Sequence, residues 1–128
     1  MTKIKKEIEQ LMSGLTMQEG RLTSHFVFPE EFVGFQGHFP KHKILPGVCQ
    51  IQCALSTLEQ AFRKTVELRE VALAKYFAPV FPGEQITCLC SDISDAGEFL
   101  FKTLITKGTV KVSELKLRVV FSGETQNH

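Results

Sequence analysis

Apolar residues recur at intervals of three and four in two stretches of this chain and alternate with polar ones in several others. In MTKIKKEIEQLM, Ile4, Ile8 and Leu11 fall on one stripe, with lysines and glutamates elsewhere. That pattern predicts a short amphipathic helix ending near Ser13-Gly14. Val48, Ile51, Leu55, Leu58 and Phe62 predict a second helix from about Gly47 to Lys64, with a continuous apolar stripe. Pro46 suits the start of that helix, where a missing N–H costs nothing. The run Arg21 to Phe28, RLTSHFVF, reads as a strand stopped by Pro29. After a polar stretch from Arg63 to Arg69, strand-like patterns follow at about 70–77, 85–93, 98–107 and 110–121. Pro79, Pro82-Gly83, Ala96-Gly97 and Lys107-Gly108 punctuate them. The tail SGETQNH reads as frayed.

One long apolar helix followed by a run of strands is best buried by wrapping the sheet around the helix. The expected class is α+β, of which the hot-dog arrangement, an antiparallel sheet around one long central helix, is one solution. With 128 residues and no linker, repeat or low-complexity stretch, residues 1–128 are expected to form a single domain.

Fifteen lysines and arginines against 14 acidic residues give no net field for nucleic acid or a membrane surface. No stretch reaches the ~20 apolar residues that span a bilayer. The charged N-terminus resembles neither a signal peptide nor an organelle address, so a soluble, cytoplasmic protein is expected. Cys49, Cys53, Cys88 and Cys90 are spaced C-x3-C and C-x-C, unlike a structural zinc site, and are read as reduced, buried thiols. Cys49 sits close to the candidate site, where accidental alkylation is conceivable. Eleven phenylalanines against one tyrosine and no tryptophan suit a greasy cavity or ordinary core packing.

Residues 30–46 have neither period and concentrate Gly34, Gly37, Pro40 and Pro46, which reads as a long ordered loop. Loops of that length carrying aromatics and a histidine are usually functional. His38, between Gly37 and Phe39-Pro40, is suited to proton transfer near neutral pH. His25 and His42 are assigned no chemistry. The first turn of the second helix offers free N–H groups and a partial positive charge, and Gly47 lets an acyl carbonyl approach the backbone. A thioester oxygen held there is stabilised as it turns enolate-like while a base removes the neighbouring proton.

The segments FQGHFP at 35–40 and ILPGV at 44–48 resemble the signature of the β-hydroxyacyl-acyl-carrier-protein dehydratases of the FabZ and FabA type. AKYFAPVFPGE at 74–84 is similar to a second segment of that family, in the same order along the chain. The resemblance implies a hot-dog dimer or trimer of dimers, acting without cofactor or metal. It also implies a 3-hydroxyacyl substrate on the phosphopantetheine of acyl carrier protein, dehydrated to the trans-2-enoyl thioester. Carried over by position, His38 is the base and Gly47 the carbonyl-binding N–H, with Pro46, Val48 and Phe39 around the substrate. Each site of the family takes its histidine from one subunit and a helix carboxylate from the other.

That carboxylate falls at Gln52 in this chain, which departs from the family's glutamate or aspartate. A neutral amide hydrogen-bonds but is no ordinary general acid. Glu59 lies about 20° from Gln52 on the helical wheel and roughly 10 Å along the axis, which suits a salt bridge or subunit contact better than replacement of the acid. Gln50 is placed opposite the apolar stripe, and PGV-x-Q also resembles a hot-dog branch linked to aryl-polyene and related pathways. Lys41, Lys43, Arg63, Lys64 and Lys75 are candidates for steering an acidic carrier protein. Phe35, Phe39, Phe77 and Phe81 are candidates for an acyl tunnel. Three readings therefore stand: a dehydratase, a non-catalytic acyl or carrier-protein binder in which Gln52 marks the lost acid, and an acyl thioesterase.

Overall fold

The computed structural model describes residues 2–35 and 43–124. Helix α1 (Thr2–Leu11) is followed by strands β1 (Met12–Gln18) and β2 (Arg21–Val27), a 3-10 turn at Val33–Phe35 and the long helix α2 (Gly47–Phe62). Four strands then complete the fold: β3 (Lys64–Tyr76), β4 (Gln85–Asp92), β5 (Phe99–Lys107) and β6 (Val110–Glu124). The six strands make one sheet in the order β1-β2-β4-β5-β6-β3, antiparallel throughout. Because β2 lies near one edge and β3 at the other, the chain must cross a whole face of the sheet between them, and α2 is that crossing. Burial alternates along β2 and β4, where Leu22, Ser24, Phe26, Ile86, Cys88 and Cys90 turn inward.

Two elements differ from the sequence expectation. β1 was not expected, because MSGLTMQ alternates weakly and is exposed along almost its whole length. It is held by pairing with β2, with an irregularity between Ser13 and Thr16. At that point Gly14 has φ 61 and sits over the His25 ring, which is tied to Thr87 Oγ1 at 3.0 Å. β3 begins at Lys64 rather than near residue 70, so the polar stretch is strand. Val66 is its buried residue, and pairing with β6 supplies the rest of its order. A charged, largely exposed edge of this kind discourages unwanted strand pairing.

The core side of α2 also differs. Of the predicted stripe, Leu58 is fully buried, whereas Val48 and Phe62 are exposed and Ile51 and Leu55 half-buried. Burial instead includes the small and polar positions Cys49, Gln50, Gln52, Cys53, Ala54, Ser56, Thr57 and Glu59. Small residues let the helix approach the sheet closely, provided that each buried polar atom finds a partner. They do: Ser113 Oγ donates to Gln50 Oε1 at 2.6 Å, Thr57 Oγ1 donates to Cys53 O at 2.7 Å and meets Ser24 Oγ at 2.7 Å. Gln50 is therefore no outward-facing residue, since it is 3% exposed and clamps the helix to β6.

The far end of α2 closes at Arg63, which adopts φ 55 and donates its N–H to Glu59 O at 2.8 Å. The Glu59 carboxylate accepts from Val66 N at 2.8 Å and pairs with Lys5 Nζ at 3.1 Å, joining α2, β3 and α1. Glu59 is thus a buried structural group held in a salt bridge, as its helical position suggested.

Candidate functional site

The start of α2 is built by two segments far apart in sequence. Pro46, with φ −62 and ψ 150, is extended, and no side chain among the described residues caps the helix. Its carbonyl accepts from Cys49 N at 3.0 Å and Gln50 N at 3.2 Å. Among the described residues nothing accepts from the N–H groups of Gly47 and Val48, as is usual for the first turn of a helix. Leu45 N donates to Val80 O at 2.9 Å, which ties the 44–48 segment to the 74–84 segment.

The second segment is itself stapled. Lys107 Nζ donates to Pro79 O at 2.6 Å, pairs with Glu84 at 3.1 Å and lies 5.4 Å from the centre of the Phe81 ring. Glu84 accepts from Phe81 N at 2.7 Å, and this bond, followed by Lys107, holds its carboxyl below the usual value. Gly83, at φ 84, donates to Phe28 O at 2.8 Å. The turn is therefore a fixed platform beside the start of α2.

Tyr76, the single tyrosine, lies across Gly47, and sequence reasoning assigned it no role. A Cβ placed on Gly47 would come within 2.6 Å of the ring and hydroxyl. Glycine is thus required here by the Tyr76 ring, beside whatever an acyl carbonyl requires. Tyr76 is half exposed, and burial of its remainder raises the phenol above its ordinary value, so it keeps its proton and serves as a donor. Gly47→Ala is expected to cost about 1–3 kcal/mol by overpacking. In a Tyr76→Ala background the same change should instead be neutral or stabilising, because alanine is the better helix former. Denaturant melts of the four proteins check both signs.

Gln52, the position of the family carboxylate, is 8% exposed, and its Nε2 donates to Ser56 Oγ at 2.9 Å. That bond turns the amide nitrogen toward the helix and leaves the amide oxygen as an acceptor. Val48 and Ile44 form an exposed apolar lip around the helix start. Of the proposed tunnel residues, Phe35 belongs to the core and meets Phe32 edge-on at 5.5 Å, whereas Phe77 and Phe81 are exposed. His38 and Phe39, together with Lys41 and His42, lie outside the described residues. Pro46, Gly47, Val48 and Gln52 are brought to one end of α2, with Glu59 two turns beyond.

Cys49, the thiol nearest the candidate site, is buried as read from sequence, 1% exposed beneath Gly34, and burial pushes its thiol up to about 11. Cys53, Cys88 and Cys90 are free and buried as well. Native protein at pH 8 should leave all four thiols unmodified by iodoacetamide over minutes and expose them on unfolding. The sign of the pH effect follows from Cys49 keeping its proton longer when folded: between its ordinary value of 9.0 and about 11 the unfolded chain loses the proton first, so stability falls as pH rises through that window.

Residues 15–115, from β1 into β6, match the sequence profile of the ApeI-like family, described as ApeI dehydratase. This chain belongs to the ApeI-like dehydratase family. The matched span includes every described residue at the start of α2 and the whole 74–84 segment. The ApeI-like chain is 31% identical over 102 residues to the 3-hydroxyacyl-acyl-carrier-protein dehydratase FabZ of Sulfurimonas denitrificans, covering 67% of this chain and 68% of the relative. It is 31% identical over 99 residues to FabZ of Gluconobacter oxydans, covering 70% of this chain and 59% of that relative. Among solved structures, the dehydratase heterocomplex ApeI:P from Xenorhabdus doucetiae superimposes with a TM-score of 0.69 at 16% identity. That match covers 84% of this chain and 95% of the other. The fold is the hot-dog fold, α+β, with α2 as its central helix. No helix among the described residues is long and apolar enough to cross a membrane.

Proposed function

We propose that this ApeI-like protein dehydrates a (3R)-hydroxyacyl thioester carried by acyl carrier protein to the trans-2-enoyl thioester, in the cytoplasm and without metal or cofactor. The observation that carries the reading is the first turn of α2, where the N–H groups of Gly47 and Val48 have no acceptor among the described residues, one turn from buried Gln52. In this scheme His38 removes the proton next to the thioester carbonyl, and the carbonyl oxygen gathers negative charge against the first turn of α2. The C–O bond to the 3-hydroxyl then breaks, and the hydroxyl leaves as water after taking a proton from solvent or from the imidazolium just formed. Gln52 orients the hydroxyl or a water molecule, and Pro46, Val48 and Phe39 surround the acyl group.

Gln52 favours a second reading of the assembly. A homodimer or trimer of dimers of this chain contains no carboxylate at position 52 in any of its sites. The Xenorhabdus structure is of the dehydratase heterocomplex ApeI:P. Pairing with a second dehydratase chain that carries the acid would complete a site around His38.

Hydration of a trans-2-enoyl thioester, followed by loss of the conjugated-thioester absorbance, tests the reaction. Turnover by the purified chain supports the homomeric form. Turnover that appears only with a carboxylate-bearing dehydratase chain supports the heteromeric one. No turnover in either case, with acyl-carrier-protein binding retained, points to the non-catalytic binder. Release of free thiol instead marks a thioesterase.

A further inference from the structure

Of the basic residues singled out from sequence, the four described, Lys43, Arg63, Lys64 and Lys75, do not form one surface. Arg63 and Lys64 stand at the far end of α2, about 22 Å along the helix axis from Gly47, and Lys43 donates to Glu30 O at 3.3 Å. Lys75 has different company, which strand pairing assembles on the outer face of the sheet. Lys75 of β3 is opposite Glu114 of β6, and Lys116 of β6 is opposite Lys102 of β5. Lys111 lies 3.2 Å and Lys102 3.9 Å from the same Glu114 carboxylate. The hydrogen bond from Lys111, and then the charges of Lys102 and Lys75, hold that carboxyl below its ordinary value. Three lysines thus share one glutamate, and Lys116 stands beside them opposite Lys102.

Two features separate this patch from an ordinary solvated strand face. Like charges placed directly opposite in a sheet are destabilising, and the Lys102–Lys116 pair is such a placement. The next rung is treated differently, since Arg118 is paired with both Glu70 and Glu98. In a chain of net charge +1, the positive excess is therefore local, with Glu114 the one carboxylate paired with it among the described residues. The patch also touches the site, because Lys111 Nζ lies 4.8 Å above the Phe77 ring, and Phe77 follows the Tyr76 that covers Gly47.

We infer that Lys75, Lys102, Lys111 and Lys116 form the docking surface for an acidic carrier protein, which presents its thioester arm past Phe77 and Tyr76 to the start of α2. This deepens the reading given under Proposed function and rests on it for the identity of the arm. The surface accelerates encounter and orients the partner, while contributing little to the chemical step.

The test compares Lys75→Glu/Lys111→Glu with Lys75→Gln/Lys111→Gln and with Arg63→Glu/Lys64→Glu at the opposite end of α2. Each is assayed with an enoyl thioester on holo acyl carrier protein and with the same acyl group on N-acetylcysteamine, which has no protein to dock. For the reversed pair, KM with the carrier-borne substrate should rise at least ~10-fold, with kcat on the small thioester unchanged. The glutamine pair should show a smaller rise in the same direction, and the distal pair none. Equal KM in all variants overturns the proposal, as does an equal loss on both substrates. If wild-type protein turns over neither thioester, the proposed reaction fails, and docking is then read by titrating fluorescent holo acyl carrier protein at increasing salt. Salt-sensitive binding that is lost in the reversed pair upholds the surface. Absent binding, or equal affinity for duplex DNA, overturns it.

Discussion

Gln52→Glu is expected to raise the dehydration rate by a factor of about 10²–10⁴, the usual worth of a positioned general acid. The site around position 52 is suited to such a group. It is 8% exposed, and burial disfavours the carboxylate, so a glutamate there would hold its proton into the range where an acid is needed. Ser56 Oγ, 2.9 Å from the present amide, would hydrogen-bond the new carboxyl and fix its rotamer. Glutamate and glutamine are nearly isosteric, so the packing of α2 should survive, and an unchanged melting temperature would confirm it. The measurement is hydration of an enoyl thioester by the variant alone and by wild type. A variant no faster than wild type, with its fold intact, would mean that the departing hydroxyl receives its proton by a route that ignores position 52.

His38→Ala should produce the opposite result. Where wild-type turnover is measurable, alone or with a carboxylate-bearing partner, loss of the base should lower kcat by about 10²–10⁴ with little change in binding of an acyl thioester. The acid limb of the pH–rate profile should disappear with it, and added imidazole should restore part of the rate. These two readouts separate a lost base from a loosened loop, because a structural defect moves neither the pH profile nor the imidazole response. Unaltered turnover in His38→Ala would remove the histidine from the mechanism and leave an acyl-binding module as the better description.

The start of α2 was legible in sequence for a local reason. Pro46 presets an extended residue, Gly47 follows, and apolar positions then recur at helical spacing, all within one short window. Strands β2 and β4 were legible because one face of each is buried and the other is not. β1 and the first half of β3 carry no such contrast. Their residues are mostly exposed, and their order comes from neighbours distant in sequence, β2 for one and β6 for the other. The helical stripe misled for a related reason: periodicity reports which positions are greasy, whereas burial depends on what packs against them. Against a sheet face lined by Ser24, Cys88, Cys90, Thr103 and Ser113, small and hydrogen-bonded residues of α2 fit closest.

The residues of the chain by themselves determined the α+β class, the long helix starting at Gly47, the two dehydratase-like segments and the glutamine at position 52. Those are properties of local spacing and residue type. Tertiary structure decided that Tyr76 lies over Gly47, that Glu59 is consumed by Lys5 and Val66, and that three lysines from three strands converge on Glu114. None of these could be read along the chain, because Glu59 depends on how two helices pack, and the others on which strands pair and in what register, a property of the whole sheet.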